Sequence, residues 1–141
     1  MDAHAAFRQL YTGRLWSIMS WDQLTAFWNR IEPDGWYLYA VGEEVPAAPA
    51  AAAQTAEFVH RVDALLRHDH RHDYCSIVYA DDVERPSFVK IYDPNNLGVS
   101  CGFSANPPLP GWIMSRVPPE DLQPARQSPE GRRRWWRAIF D

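Results

Sequence analysis

Features typical of secreted or membrane proteins are scarce in this sequence. It has only two cysteines, Cys75 and Cys101, and they do not form a C-x-x-C pair, so we do not expect a disulfide framework. No apolar run approaches the ~20 residues that span a bilayer. The segment Met1–His4 lacks the positive and apolar regions of a secretory signal. The sequence therefore predicts a cytoplasmic protein that does not bind membranes.

Lysine is almost missing, since Lys90 is the only lysine among 14 basic residues. The formal net charge is −4, yet the arginines of the segment Pro124–Asp141 outnumber its two acids, Glu130 and Asp141. The rest of the chain is therefore more acidic than the total suggests. Because nucleic-acid binding depends on a basic surface that neutralises phosphates, we predict no nucleic-acid partner.

Apolar and aromatic side chains, in contrast, are plentiful, with 46% hydrophobic residues and seven tryptophans. A chain of 141 residues has the usual size of one domain and can bury a substantial core. We expect one α+β domain over residues 1–123, followed by a basic aromatic C-terminal tail over residues 124–141.

Hydrophobic spacing places the predicted helices. From Phe7 to Met19 the spacing is near-helical with an interruption at Gly13, which indicates one kinked helix or two short ones. A second helix begins at Ser20, which can form a capping box with Gln23. A third follows from a cap at Thr55.

Four runs rich in aromatic and β-branched residues indicate strands. They are Trp36–Val41, Tyr74–Ala80, Ser87–Asp93 and Trp112–Ser115, and the second and third should pair as an antiparallel hairpin. We therefore predict a two-layer α+β sandwich, in which helices cover one face of a small, mainly antiparallel sheet.

Three histidines lie between the third helix and the second strand. If the chain is extended there, His68, His70 and His72 project to one side and can share a zinc or iron ion. The alternative is that the three histidines lie in solvent at the C-terminal end of the third helix, where the helix dipole favours imidazolium. A metal-binding protein is thus one functional hypothesis.

The two cysteines and a turn-rich loop suggest further candidates. Cys75 lies within a strand run and is expected in the core. Cys101 follows a turn and could act as an activated thiolate, which gives the hypothesis of a thiol-dependent enzyme. The loop residues that could present binding groups are Asp93, Asn95, Asn96 and Cys101, although chain reversal explains their composition as well.

The C-terminal segment has the composition of an interaction element. Arg and Trp are enriched among interface hot spots, and helical spacing pairs Trp135 with Ile139 and Trp136 with Phe140. Alternatively, these aromatic residues fold back onto the domain and leave the arginines in solvent. The candidate partner-binding residues are Arg132, Arg133, Arg134, Trp135, Trp136, Arg137, Ile139 and Phe140.

Part of the sequence resembles an uncharacterised family of small proteobacterial proteins associated with nitrogen-fixation gene neighbourhoods. The resemblance lies mainly in residues 73–115, and its motifs are Asp73–Cys75, Lys90–Gly98, Cys101–Gly102 and Pro107–Trp112. It implies an accessory or regulatory partner of nitrogenase or of a related metalloenzyme. It supplies no active-site residues, so a protein that binds another protein is the leading hypothesis.

Overall fold

Helices and strands alternate along most of the chain. The computed structural model describes residues 4–96, 109–122 and 130–140. The elements are α1 (Ala5–Thr12), β1 (Trp16–Ser17), α2 (Trp21–Arg30), β2 (Tyr37–Ala40), α3 (Ala52–Asp69), β3 (Val78–Ala80), β4 (Phe88–Ile91), the short 3-10 helix η1 (Pro94–Asn96), β5 (Trp112–Ser115) and α4 (Glu130–Phe140). None of the helices in this part of the chain has the length and hydropathy needed to cross a bilayer.

The strands form one antiparallel sheet in the order β1-β3-β4-β5-β2. The predicted hairpin is confirmed, with Val78 of β3 opposite Ile91 of β4. In its connecting loop the Asp81 carboxylate accepts hydrogen bonds from the backbone N–H groups of Ser87 and Phe88, at 2.9 and 3.0 Å. The predicted α+β class with a small antiparallel sheet is therefore correct.

Helices lie on both faces of this sheet, which differs from the expectation of one covered face. Val89 and Met114 face a larger cluster that includes residues of α2, α3 and α4. Phe88 and Ile113, which alternate with them, face a smaller cluster that contains Phe7 of α1. Because β4 and β5 are apolar on both sides, each face needs a covering layer, and α1 covers part of the second.

The helix starts are partly as predicted. The capping box at the start of α2 is confirmed, since Ser20 Oγ accepts from the Gln23 N–H at 3.0 Å and Gln23 Oε1 accepts from the Ser20 N–H at 3.2 Å. Helix α3, however, begins at Ala52 instead of at Thr55. Gln54 Oε1 accepts from the Ala51 N–H at 3.0 Å, and Thr55 is buried inside the helix.

An edge strand replaces the second half of the first predicted helix. Helix α1 ends at Thr12, and the chain then runs along β3 as the edge strand β1. The Ile18 N–H donates to the Val78 carbonyl at 2.8 Å, and the Cys75 N–H donates to the Met19 carbonyl at 2.9 Å. Cys75 is fully buried, as predicted. Residues 16–20 therefore follow the rim of the sheet.

Candidate functional site

The C-terminal helix packs on the larger cluster, as in the alternative by which its aromatic residues fold back onto the domain. Ile139 is buried, with 8% of its surface exposed, and Trp135, Trp136 and Phe140 are half-buried against the same cluster. The Trp135 ring lies 5.3 Å from that of Trp112, and the Trp136 ring lies 5.8 Å from that of Phe58. These contacts join the apolar face of the helix to the core of the domain.

The arginines of α4 fall into two groups. Arg132 lies between α3 and the end of β4, and Arg133 pairs with Glu43 at 3.3 Å. Arg134 and Arg137 are exposed, and Arg134 pairs with Glu130 of its own helix at the long distance of 3.8 Å. Of the predicted partner-binding residues, Arg134 and Arg137 thus face solvent most openly.

Arg132 is the centre of an ion-pair network that we call the Arg132 latch. Its Nε and Nη2 donate to the two carboxylate oxygens of Asp93 at 2.9 and 3.1 Å, and Nη2 also donates to Asp69 at 2.6 Å. All three side chains are at most 20% exposed. The hydrogen bond from Arg132, followed by that from His68, lowers the pKa of Asp69. The ionised form of Asp69 is therefore favoured, and both carboxylates accept hydrogen bonds from the Arg132 guanidinium.

The loop residues proposed from the sequence contribute to the Arg132 latch. The Asn95 N–H donates to Asp93 at 2.9 Å, which is the turn bond expected of an Asp at this position. Gly111 approaches this turn so closely that a Cβ there would lie 3.0 Å from the Cβ of Asp93. Asn96 ends η1, and Cys101 lies outside the described residues, so the thiol hypothesis is not addressed by these contacts.

The three histidines do not converge on one point: the rings of His70 and His72 lie 4.7 Å apart, but His68 still belongs to the helix. His68 belongs to the last turn of α3, where its Nδ1 lies 2.7 Å from an Asp69 oxygen. His70 caps that helix and is buried, with 7% exposed, whereas His72 is exposed and stacks on Tyr74 at 5.0 Å. In residues 4–96, 109–122 and 130–140 no group of three His, Cys, Asp or Glu side chains is placed to hold a metal.

His70 should instead make the stability of the fold depend on pH. Burial, and then the nearby His72, lowers the pKa of His70, and its buried Nε2 has no hydrogen-bond partner within the described part of the chain. The unfolded state therefore binds the proton first, so the free energy of unfolding should fall as the pH drops below about 6.5. Urea unfolding of the natural protein and of His70→Gln at several pH values measures this loss.

The matched control for this titration is His72→Gln, two residues away and exposed. The loss between about pH 7 and about pH 5 should be smaller in His70→Gln than in His72→Gln, which keeps the buried imidazole of His70 and removes only the smaller effect of His72 on its pKa. Equal losses in both variants would show that another group is responsible.

The sheet also has an exposed apolar edge, which the sequence did not predict. In the described residues the large apolar side chains classed as exposed are Trp16, Met19 and Tyr74, at 53%, 54% and 52%. All three lie at the β1 rim, because Trp16 belongs to β1 and Ser20, which follows Met19, forms a bridge with Tyr74. We call these three residues the edge patch. The hydrophobic periodicity of the sequence had suggested a helix for the segment that contains Trp16 and Met19. Only the pairing of β1 with β3 therefore reveals the edge patch.

These features define an α+β domain with an internally latched C-terminal helix and one exposed apolar edge. No protein-family model, curated protein or solved structure matches the chain.

Proposed function

We propose that this chain is a small cytoplasmic accessory or regulatory protein that binds another protein along the edge patch. The observation that carries the proposal is the position of Trp16, Met19 and Tyr74, about half exposed, on one rim of the sheet. Exposed apolar side chains that share one sheet edge are suited to an interaction surface, whereas scattered ones are common on any protein. Trp and Tyr are also the residue types that most often anchor interfaces.

The backbone at this rim supports the same kind of partner. Strand β1 is at one end of the sheet order, and no described strand pairs with its outer side. An open edge can accept an extended segment of another protein by strand addition, with side-chain contacts giving specificity. The occupant we propose is therefore an extended segment with apolar side chains that cover Trp16 and Tyr74.

The first partner to test is a nitrogenase component, which is what the family resemblance implies. Tyr74 lies both in the residues that carry the resemblance and in the edge patch.

Replacing both Trp16 and Tyr74 with alanine should weaken partner binding at least about tenfold, because two anchor side chains are removed. Since both are about half exposed, the fold should lose little stability. Isothermal titration calorimetry of the full chain with purified nitrogenase components measures the affinity, and circular dichroism checks the fold.

The matched control is Arg134→Glu with Arg137→Glu, which reverses the charge of the exposed side of α4. If binding survives the charge reversal but is lost when Trp16 and Tyr74 are replaced, the edge patch is the binding surface. If only the charge reversal weakens binding, the interaction surface is α4 instead. Analytical ultracentrifugation of the chain alone completes the test. If the chain forms a tight homodimer and Trp16→Ala abolishes it, the edge patch is a homodimer interface instead.

A further inference from the structure

A cluster of four rings lies where the end of α3 meets the edge patch. The centre of the buried His70 ring is 4.7 Å from that of His72. It is 6.0 Å from the centres of both the Trp21 indole and the Tyr74 phenol ring. The His72 ring also stacks on that of Tyr74 at 5.0 Å, and the Trp21 Nε1–H donates to the His72 carbonyl at 2.9 Å. We call these four residues the ring cluster.

The ring cluster is joined to the edge patch by direct contacts. Tyr74 belongs to both groups of residues. It forms a bridge with Ser20, and the next residue, Cys75, donates its N–H to the Met19 carbonyl at 2.9 Å. Two of the three edge-patch residues, Met19 and Tyr74, are therefore held by one short stretch of backbone pairing beside the ring cluster. A rearrangement of the rings would reach them directly.

The imidazole of His70 is suited to this place in its neutral form. Its Nε2 is buried, and no described residue offers it a hydrogen bond. Protonation would put an N–H and positive charge at that atom without an acceptor. No carboxylate of a described residue pairs with this ring, since the histidine that forms an ion pair there is His68, with Asp69. The imidazolium form therefore gains by moving its ring towards water.

The groups packed around His70 also oppose a positive charge. Burial lowers the pKa of His70 most, and the charge of His72 acts in the same direction, whereas a backbone hydrogen bond with Cys75 acts in the opposite one. Helix α2 contributes the uncharged indole of Trp21. From α3, the Arg67 guanidinium lies over that indole, 5.2 Å from its centre. The cations here, His72 and Arg67, disfavour a further one.

We propose that His70 is a pH sensor that regulates partner binding at the edge patch. Its protonation opens the ring cluster and displaces Tyr74, so the edge captures an extended partner segment less well in mild acid. This inference rests on the proposed function, because it concerns the same edge. The partner binds the closed form, in which His70 is neutral. Affinity is therefore full above the lowered pKa of His70 and is lost as the pH falls through that value, below about 6.5.

An NMR titration of the full chain tests the sensor without a partner. The chain has five histidines, and the imidazole signal that is missing from His70→Gln identifies His70. We expect its titration midpoint to lie below the value of about 6.5 for an unperturbed histidine, and the Tyr74 ring signals to shift at the same midpoint. A His70 midpoint at or above that value, or Tyr74 signals that do not follow it, would overturn the proposal.

Calorimetry with purified nitrogenase components tests the regulation. One pH unit below the His70 midpoint, the affinity should be about tenfold weaker than at about pH 7.5, because binding then requires the release of one proton. Circular dichroism at both pH values checks that the chain is folded. The ratio of the two affinities should fall to about one in His70→Gln, and in His70→Asn as a second neutral variant, whereas His72→Gln should keep most of it.

The outcomes separate this inference from the proposed function. If Trp16→Ala with Tyr74→Ala abolishes binding at about pH 7.5 but the natural protein binds equally well at both pH values, the edge patch stands and the sensor is wrong. The same pH ratio in the natural protein and in His70→Gln also contradicts the sensor. If the natural protein binds no component at either pH, the proposed function fails and the regulation fails with it.

Discussion

Replacing Arg132 with methionine should lower the free energy of unfolding by about 2–4 kcal/mol. The change removes the guanidinium that pairs with Asp69 and Asp93 while keeping most of the side-chain volume. The two carboxylates are at most 19% exposed, so water replaces the lost partner poorly and two like charges remain close together. Urea unfolding at neutral pH, followed by circular dichroism, measures the difference.

Arg134→Met is the matched control for this prediction. Arg134 is on the same helix, but its pair with Glu130 is 3.8 Å long and both side chains are at least 70% exposed, so the expected change is below about 0.5 kcal/mol. The pH dependence gives a second check. The pKa of Asp69 is lowered, so the stabilisation by Arg132 should persist down to about pH 4 and decline in stronger acid. Equal effects of the two substitutions would contradict the latch.

Removal of residues 124–141 should destabilise the domain by on the order of 5 kcal/mol or unfold it, because each large apolar side chain that leaves a core costs roughly 1.5–3 kcal/mol. The deletion takes away buried Ile139 and half-buried Trp135, Trp136 and Phe140, and it exposes parts of Phe58. Urea unfolding and the binding of a dye for exposed apolar surface measure the outcome.

Two full-length variants calibrate the loss of stability that is expected from this deletion. Ile139→Ala should cost about 2–4 kcal/mol, as large-to-small changes in a core do. Arg134→Ala with Arg137→Ala should cost little, because both side chains are exposed. A truncated protein with the unfolding midpoint of the full chain would show that α4 is not part of the core.

Local patterns in the sequence predicted several elements well because their causes are local. The capping box needs only Ser20 and Gln23 three residues apart, and the β3–β4 hairpin needs two strand-like runs and a short polar link. The spacing from Phe7 to Met19 failed for the opposite reason. Residues 16–17 become a strand by pairing with β3, about 60 residues away, and no local propensity carries that information.

The candidate site was predicted less well than the fold. The sequence identified Arg132, Asp93 and Asn95 as noteworthy but assigned them to a partner surface and to a binding loop. In the structure they meet Asp69 in the Arg132 latch, since three segments distant in sequence converge there. The histidines showed the same limit, because α3 continues to Asp69, so His68 is helical while His70 and His72 follow the helix.

The amino-acid sequence alone determined the α+β class, the antiparallel hairpin and a core rich in aromatic residues, since these follow from periodicity, caps and composition. The tertiary structure alone decided which apolar residues remain exposed. Trp135 and Trp136 resemble Trp16 in chemistry, yet the first two pack against Phe58 and Trp112 while the third remains on an open edge. Burial depends on contacts between distant segments, and the same residue type can therefore be core in one place and surface in another.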